Sequence, residues 1–403
     1  MTSAPSAAST RRSLAIHSGV LMVFMGASAA PTPLYRLYQA AWHFTPTLLT
    51  AIFATYAFAL LAALLFAGRL SDHLGRRPVI TLAILLNLVA MLAFLEADGP
   101  GWLVAARLLQ GLATGLATAA IGAALLDVDR VHGATVNSIA PLVGLALGAL
   151  GSTSLVVLAP APLQGVFVVL SVLLLMGLAF VWTTPETSGG RPGAVASLRP
   201  SIAVPVHARG ALLAVTPLNI AVWMLGGFYF SLMPSLVAQT THSTSPWLGG
   251  LTVAALTFTG ALAVLAAMRV SAYRVLLSGA GLLVTGLALI LIGARYGSGT
   301  WLIVGSIIGG GGFGASFLGS VRAVLPLADA NDRTRLMAVF YIESYLAFSV
   351  PTIAVGWIAQ HHGLLAAIDI YAATILALAL AAVAWIVSRA HHVRGHAVAT
   401  TGR

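Results

Sequence analysis

Gly68-Arg69-Leu70-Ser71-Asp72-His73-Leu74-Gly75-Arg76-Arg77-Pro78 is the stretch of sequence that decides the fold. It places one acid, three arginines and two glycines between two long apolar segments, in a chain of 403 residues of which 7% are charged. The glycines allow a tight turn, and arginines next to apolar segments are typical of loops at a membrane surface. The stretch therefore predicts a polar connection between two membrane-spanning helices.

The composition of the whole chain also favours a membrane protein. Hydrophobic residues make up 59% of the chain and the mean hydropathy is +0.97, whereas soluble domains contain roughly 45–50% apolar residues. No Asp, Glu, Lys or Arg occurs between Arg130 and Glu186, or between Arg209 and Arg269. Because a spanning helix needs about 20 apolar residues, each of these stretches has room for about two spans.

Apolar windows bounded by Gly, Pro and Arg clusters predict about twelve spans, all of them helical because lipid cannot satisfy backbone hydrogen bonds. The fold class is thus an all-α integral membrane protein with two six-helix bundles, 1–183 and 211–403. A linker rich in Pro, Gly, Ser and Arg, 184–210, joins them. We number the spans 1 to 12 and predict them near 14–31, 47–67, 78–95, 102–126, 134–158, 164–183, 211–237, 247–267, 275–294, 300–321, 335–358 and 364–388.

The basic residues predict how the chain lies in the membrane. All 20 of them are arginine, and a cytoplasmic N-terminus leaves Arg36, Arg107 and Arg295 as the basic residues on the opposite side. This bias predicts that both termini are cytoplasmic, in a plasma membrane such as the bacterial inner membrane. Because the arginines stand singly or in pairs in short turns, we do not expect the net charge of +10 to bind nucleic acid. The absence of cysteine excludes disulfides and thiolate chemistry.

The opening stretch fits the pattern G-x-L-[AS]-D-x-x-G-R-[KR] and resembles the signature loop between helices 2 and 3 of the major facilitator superfamily of membrane transporters. The resemblance implies two bundles around a central cavity that opens alternately to the two sides of the membrane. It also implies a latch, in which Asp72 and the loop arginines hold the first bundle against the start of span 11. The gating residues would be Gly68, Arg69, Asp72, Gly75, Arg76, Arg77, Arg333 and Arg335. Alternatively, the loop is only a determinant of topology.

Three polar side chains inside apolar spans are candidates for proton coupling. In span 4, Arg107-Leu108-Leu109-Gln110-Gly111 resembles the pattern R-x-x-[QR]-G of proton-coupled exporters, which implies a coupling role for Arg107 and Gln110. The alternative is an arginine that extends to the membrane interface and anchors the helix. In span 11, Glu343 is an intramembrane carboxylate, which either takes up a proton or a cationic substrate, or hydrogen-bonds to neighbouring helices as a structural group.

Small and aromatic residues supply the remaining candidates. Gly144, Gly148 and Gly151 of span 5 resemble the antiporter signature G-x-x-x-G-P-x-x-G-G, with Ala149 in place of its proline, and their spacing equally suits close helix packing. Polar aromatic side chains suit amphipathic or cationic ligands, although they also form interfacial belts. The candidates for the substrate cavity are Tyr35, Arg36, Tyr56, Asn219, Trp223, Tyr229, Tyr341 and Tyr345.

These observations predict a secondary active transporter rather than an enzyme, because no paired catalytic motif such as H-E-x-x-H occurs. We expect a monomer in the lipid bilayer that exports drug-like or metabolite solutes in exchange for protons, without cofactor or metal. The alternative is a proton-coupled importer of sugars or organic acids. The glycines of 309–314 lack the lysine of a phosphate-binding loop. His391, His392 and His396 are interpreted as a solvated tail.

Overall fold

The computed structural model describes the backbone of residues 7–401 and the side chains of residues 7–329, 332–385 and 387. Throughout that part of the chain the regular elements are helices, which confirms the predicted fold class. Eleven of the helical segments are long and apolar enough to cross a membrane, and the sixth in chain order, Gly165–Val181, has 17 residues. Together they account for the predicted set of about twelve spans.

The observed spans begin and end close to the predicted limits, except that spans 1, 7, 11 and 12 are longer. Span 1 consists of Ala7–Ala29 and Pro31–Trp42, and span 7 of Val206–Ser231 and Met233–Thr241. Spans 2 to 6 are Pro46–Ala67, Arg76–Leu95, Pro100–Val128, Arg130–Leu158 and Gly165–Val181; spans 8 to 12 are Pro246–Ala267, Ala272–Tyr296, Gly299–Val324, Ala330–His362 and Leu364–Thr401. Three short helices lie between them, Leu70–Leu74, Ala194–Ser197 and the 3-10 turn Leu325–Leu327.

Local sequence explains where many of these helices begin. Pro46, Pro100 and Pro246 each stand at the first helical position, where the missing N–H of proline costs no hydrogen bond. The Asp129 carboxylate caps span 5 by accepting the backbone N–H groups of Val131 and His132, both at 2.9 Å. The short connections are therefore fixed by proline and capping side chains.

Spans 1 and 7 each break into two helices, and proline explains both breaks. Because Pro31 has no N–H, the carbonyl of Ala27 loses its partner within the helix, and Pro234 leaves the carbonyl of Phe230 in the same state. The Thr32 hydroxyl donates to the Phe230 carbonyl at 3.0 Å. The two breaks therefore meet, and one hydrogen bond joins span 1 to span 7 there.

Packing between the spans repeats from one half of the chain to the other. Span 4 packs against spans 2 and 3, and span 10 packs in the same way against spans 8 and 9. The two halves meet where span 2 contacts span 11 and where span 5 contacts span 8. The division of the chain into 1–183, 184–210 and 211–403 stays a prediction. We call the face that carries the loop 68–78 and the linker 184–205 the linker face.

Candidate functional site

Arg107 of span 4 is buried in the first half of the chain, with 1% of its surface exposed. Its Nη1 donates to the carbonyl of Ser28 at 3.0 Å and to Oε1 of Gln110 at 2.6 Å. Its Cζ lies 4.3 Å from the centre of the Tyr56 ring, a cation–π distance. The arginine is therefore held inside the protein and does not extend to the membrane interface.

The break in span 1 supplies the acceptors for these side chains. Gln110 Nε2 donates to the carbonyl of Ala27 at 2.8 Å, the carbonyl that Pro31 leaves without a helical partner. The Tyr56 hydroxyl donates to Oγ of Ser28 at 2.8 Å. Spans 1, 2 and 4 are thereby joined at one depth, although no sequence motif links them.

Glu343 of span 11 is half-buried and faces span 7. Its carboxylate accepts hydrogen bonds from the Thr216 hydroxyl at 2.8 Å and from Nδ2 of Asn219 at 2.9 Å. The same Asn219 nitrogen also donates to Oγ of Ser344 at 3.0 Å. Among the residues that the structure describes, no arginine or histidine forms an ion pair with Glu343. This carboxylate is held by neutral donors.

Four aromatic rings connect the surroundings of Arg107 with those of Glu343. We call Phe53, Trp223, Tyr345 and Phe348 the aromatic cluster. Phe53 of span 2 lies 4.9 Å from Phe348 of span 11, and Trp223 of span 7 lies 5.6 Å from Phe348 and 5.0 Å from Tyr345, all between ring centres. The Arg107 Cζ lies 5.8 Å from the Phe53 ring. The cluster therefore crosses from one half of the chain to the other.

The remaining cavity candidates divide into two groups. Tyr341 lies beside the aromatic cluster, 6.3 Å from the Tyr345 ring, and Tyr35 is buried beside Arg107. Tyr229 instead hydrogen-bonds to Ser306 of span 10 at 2.8 Å. The structure places Tyr56 beside Arg107, Asn219 on the Glu343 carboxylate, and Trp223 and Tyr345 in the aromatic cluster with Phe53 and Phe348. Their role as a cavity lining stays a prediction. The half-buried Arg36 has no described contact with this group.

In the signature loop, Asp72 pairs with an arginine of the same loop. Its Oδ1 lies 2.5 Å from Nη1 of Arg76, whose Nε lies 3.0 Å from Oδ2 of Asp127 at the end of span 4. Gly75 has φ +98°, a backbone conformation that favours glycine, and it turns the chain between the short helix Leu70–Leu74 and span 3. Gly68 and Arg69 immediately precede that short helix.

The start of span 11 makes separate contacts. Arg335 Nε donates to the Ser201 hydroxyl of the linker at 3.0 Å, and Arg333 Nε donates to the carbonyl of Ala328 at 3.1 Å. In the described part of the chain, neither arginine pairs with Asp72. The latch between Asp72 and span 11 therefore stays a prediction.

Glu186, which belongs to no sequence motif, attaches the linker to the signature loop through hydrogen bonds. Its carboxylate accepts the backbone N–H groups of Arg76 at 2.8 Å and Arg77 at 2.9 Å. Burial disfavours the charged form, but the backbone N–H groups of Ser188, Arg77, Arg76 and Thr187 outweigh it and hold the pKa of Glu186 below its ordinary value. The Arg77 guanidinium donates to the carbonyl of Thr184. In the sequence, Glu186 could have been noticed as the one acidic residue of a linker rich in proline and glycine.

The glycines of span 5 differ in what they contact. A Cβ atom on Gly144 would lie 2.6 Å from the carbonyl oxygen of Met22, and one on Gly148 would lie 2.2 Å from that of Gly26. At Gly151, no described atom lies within 4 Å of such a Cβ. Gly144 and Gly148 therefore allow close packing of spans 1 and 5, whereas Gly151 does not take part in it.

The described side chains supply no metal site. Within residues 7–329, 332–385 and 387, no group of three or more His, Cys, Asp or Glu side chains could hold a metal ion. The side chains of His391, His392 and His396 lie outside the described residues. The glycines of 309–314 lie inside the helix of span 10.

A bundle of apolar spanning helices that encloses buried polar groups defines a helical membrane protein. The sequence profile described as Major Facilitator Superfamily matches residues 16–272, and the chain belongs to that family. It is a transporter and not an enzyme. No curated protein sequence matches the chain.

Three solved structures share its fold. The xylose transporter XylE from E. coli, in a partially occluded inward-open conformation, is 14% identical, with a TM-score of 0.71 over 93% of this chain and 97% of its own. A mutant of the nucleoside transporter NupG is 14% identical, with a TM-score of 0.71 over 93% and 99%. The human organic anion transporter MFSD10 (TETRAN) is 17% identical, with a TM-score of 0.64 over the same shares.

Proposed function

We propose that this chain exports small organic solutes in exchange for protons, and that Glu343 carries the proton. One observation supports this proposal most directly: Glu343 lies inside a span and is hydrogen-bonded to the neutral side chains of Thr216 and Asn219. A carboxylate held in this way can exchange a proton without breaking an ion pair. Because span 7 holds it, its protonation state bears on the contact between spans 7 and 11.

Export is favoured over import by the segment around Arg107 and Gln110, which resembles that of proton-coupled exporters. Import of sugars or organic acids is the second candidate, since the similar structures include a xylose transporter and a nucleoside transporter.

We further propose that the linker face is cytoplasmic and that the protein acts as a monomer in a bacterial inner membrane. The arginine bias supports this orientation, since it leaves three of the 20 arginines, Arg36, Arg107 and Arg295, on the opposite side. Closure of this face would then bring Asp72 to the start of span 11, where Arg333 and Arg335 are exposed. In the present arrangement Asp72 is held by Arg76.

Reconstitution into proteoliposomes with an imposed pH gradient tests the proposal. A panel of dyes, drugs, sugars and amino acids is offered, and the gradient is applied in each direction. We expect a transported solute to move against the proton flow and Glu343→Gln to abolish the response to the gradient. Glu96→Gln, which removes an exposed acid at the far end of span 3, is the matched control and should keep the response. Transport that ignores the gradient in the unmodified protein, or Glu343→Gln with an unchanged response, would refute proton coupling through Glu343.

A further inference from the structure

Three buried polar atoms near the break in span 1 have no hydrogen-bond partner among the described residues other than one another. They are Nε of Arg107 and the hydroxyls of Tyr35 and Tyr38, and each of these residues is 1% exposed. Tyr35 and Tyr38 lie one turn apart on the helix Pro31–Trp42, and Tyr35 lies beside the Arg107 guanidinium. Arg107 also donates a hydrogen bond to the carbonyl of Ser28, which lies just before that helix. All three atoms can donate a hydrogen bond.

The charge of Arg107 is also unbalanced. Its described hydrogen-bond acceptors are the carbonyl of Ser28 and the amide oxygen of Gln110, both neutral, and no described Asp or Glu forms an ion pair with it. A guanidinium stays protonated in proteins. Burying such a charge without a partner of opposite sign is costly, and the Tyr56 ring compensates a small part of the cost. The region is therefore suited to a group that is anionic and accepts several hydrogen bonds.

We propose that Arg107, Tyr35 and Tyr38 form an anion subsite that binds the carboxylate of an aromatic organic acid carried by this transporter. One positive charge balances one carboxylate, whereas a doubly charged phosphate would leave a negative charge uncompensated. Charge-assisted hydrogen bonds from a guanidinium to a carboxylate are among the strongest in proteins. Because the inference names the substrate class of the proposed transport site, it rests on the proposed function.

The aromatic part of the substrate follows from what lies next to Arg107. Phe53 contacts the guanidinium on one side and Phe348 of the aromatic cluster on the other, at 5.8 and 4.9 Å. A planar ring attached to the carboxylate would therefore meet Phe53 and the rest of the cluster, with which it can stack. Trp223 Nε1, buried in the cluster, has no hydrogen-bond partner among the described residues. The subsite thus fixes the acid group, and the cluster accepts the ring.

Binding of 2-naphthoate and its uncharged analogue 2-naphthamide to the purified full-length protein tests the inference. Affinity is measured from quenching of tryptophan fluorescence and, separately, from the ligand-induced rise in Tm. We expect 2-naphthoate to bind about tenfold or more tightly than the amide, as the loss of a charge-assisted hydrogen bond implies. Titration of sodium chloride against bound 2-naphthoate shows whether a simple anion takes the subsite instead.

Substitutions test whether Arg107 and Tyr35 cause the preference for 2-naphthoate over 2-naphthamide. Arg107→Gln should abolish the preference for 2-naphthoate, and Tyr35→Phe, which removes one hydroxyl, should reduce it about threefold or more. Arg274→Gln and Tyr296→Phe remove an exposed guanidinium and an exposed hydroxyl elsewhere and should leave it unchanged. If Arg107→Gln does not fold, the Tyr35→Phe result decides alone.

Several results would overturn the inference: equal binding of the two naphthalene compounds, a preference that survives in Arg107→Gln, a preference that is undiminished in Tyr35→Phe, or displacement by chloride at millimolar concentration. The proposed proton coupling fails separately. If the unmodified protein binds 2-naphthoate selectively but its transport ignores a pH gradient, proton coupling is wrong and the anion subsite stands. If Glu343→Gln loses the response to the gradient but the unmodified protein binds 2-naphthoate and 2-naphthamide equally, proton coupling stands and the anion subsite is wrong.

Discussion

Alanine at Gly148 should force spans 1 and 5 apart. The added Cβ would lie 2.2 Å from the carbonyl oxygen of Gly26 and 2.4 Å from its Cα, and both are backbone atoms that cannot rotate away. Ordinary contact begins at 3.4 Å, so the difference of about 1.2 Å must come from movement of the helices. Ser152 donates to the Ala30 carbonyl at 2.6 Å across the same contact, and a shift of that size would stretch this bond to about 3.8 Å, beyond hydrogen-bond reach.

Overpacking of this kind costs about 1–3 kcal/mol of folding free energy. Gly151→Ala is the matched control, because it makes the same chemical change on the same span, at a site where no described atom lies within 4 Å of the new Cβ. Both variants and the unmodified protein are purified in the same detergent. Their Tm values are compared at one heating rate, since unfolding of large proteins is often irreversible. We expect Gly148→Ala to melt several degrees lower and Gly151→Ala to melt within about a degree of the unmodified protein.

The close packing of spans 1 and 5 would be refuted if Gly148→Ala had the same Tm as the unmodified protein. Equal losses in the two variants would also refute it, because they would show a general intolerance of alanine in span 5. Since the carbonyls that hold Gln110 and Arg107 follow Gly26 directly, we also expect Gly148→Ala to lower transport.

Two further predictions concern the linker face. Asp72→Asn should lower transport at a normal protein level, because it removes the charge proposed to hold the start of span 11. Asp98→Asn, at the opposite face, is the control and should not lower transport. Normal transport by Asp72→Asn would refute the latch. The folded pKa of Glu186 lies below its ordinary value, so its stabilising contribution is complete at neutral pH and is lost as the pH falls through that lowered pKa. The difference in Tm between the unmodified protein and Glu186→Gln should therefore shrink in acid, and a difference that stays constant with pH would contradict the proposed role of the carboxylate.

The arrangement of spans could be predicted because hydropathy and helix-ending residues point to the same limits. Spans 2 and 8 were placed within one residue, since Pro46 and Pro246 mark their starts and apolar residues continue to their ends. Span 1 was predicted too short at both ends, because its first helical turns and the segment 32–42 are polar enough to fall outside an apolar window. Hydropathy detects the part of a helix that lipid covers, and it misses helix that continues into polar surroundings.

The polar groups of the site were predictable one by one, but their partners were not. Arg107 and Glu343 stand out because a charge inside a span is costly. Their partners are a main-chain carbonyl at Ser28 and the uncharged Thr216 and Asn219, which resemble many other residues of the chain. Pro31 offered a signal that could have been used, since a proline within a span identifies the carbonyl four residues earlier as a free acceptor.

The aromatic cluster could not be distinguished by sequence from ordinary packing. Phe53 and Phe348 lie almost 300 residues apart, and only the contact between spans 2 and 11 makes them neighbours. Glu186 is similar, because the backbone N–H groups that hold it carry no side-chain signature. Side-chain chemistry is visible in a sequence, whereas contacts to main-chain groups and contacts between distant spans depend on the folded arrangement.

The paired breaks in spans 1 and 7 have a consequence for how the end of the bundle opposite the linker face can move. The segments Pro31–Trp42 and Met233–Thr241 are short helices beyond a break, so each can tilt about its own joint while the longer part of its span stays in place. The hydrogen bond from Thr32 to Phe230 ties the two joints to each other. A tilt of either short segment would therefore strain this hydrogen bond, so the two segments are expected to move together.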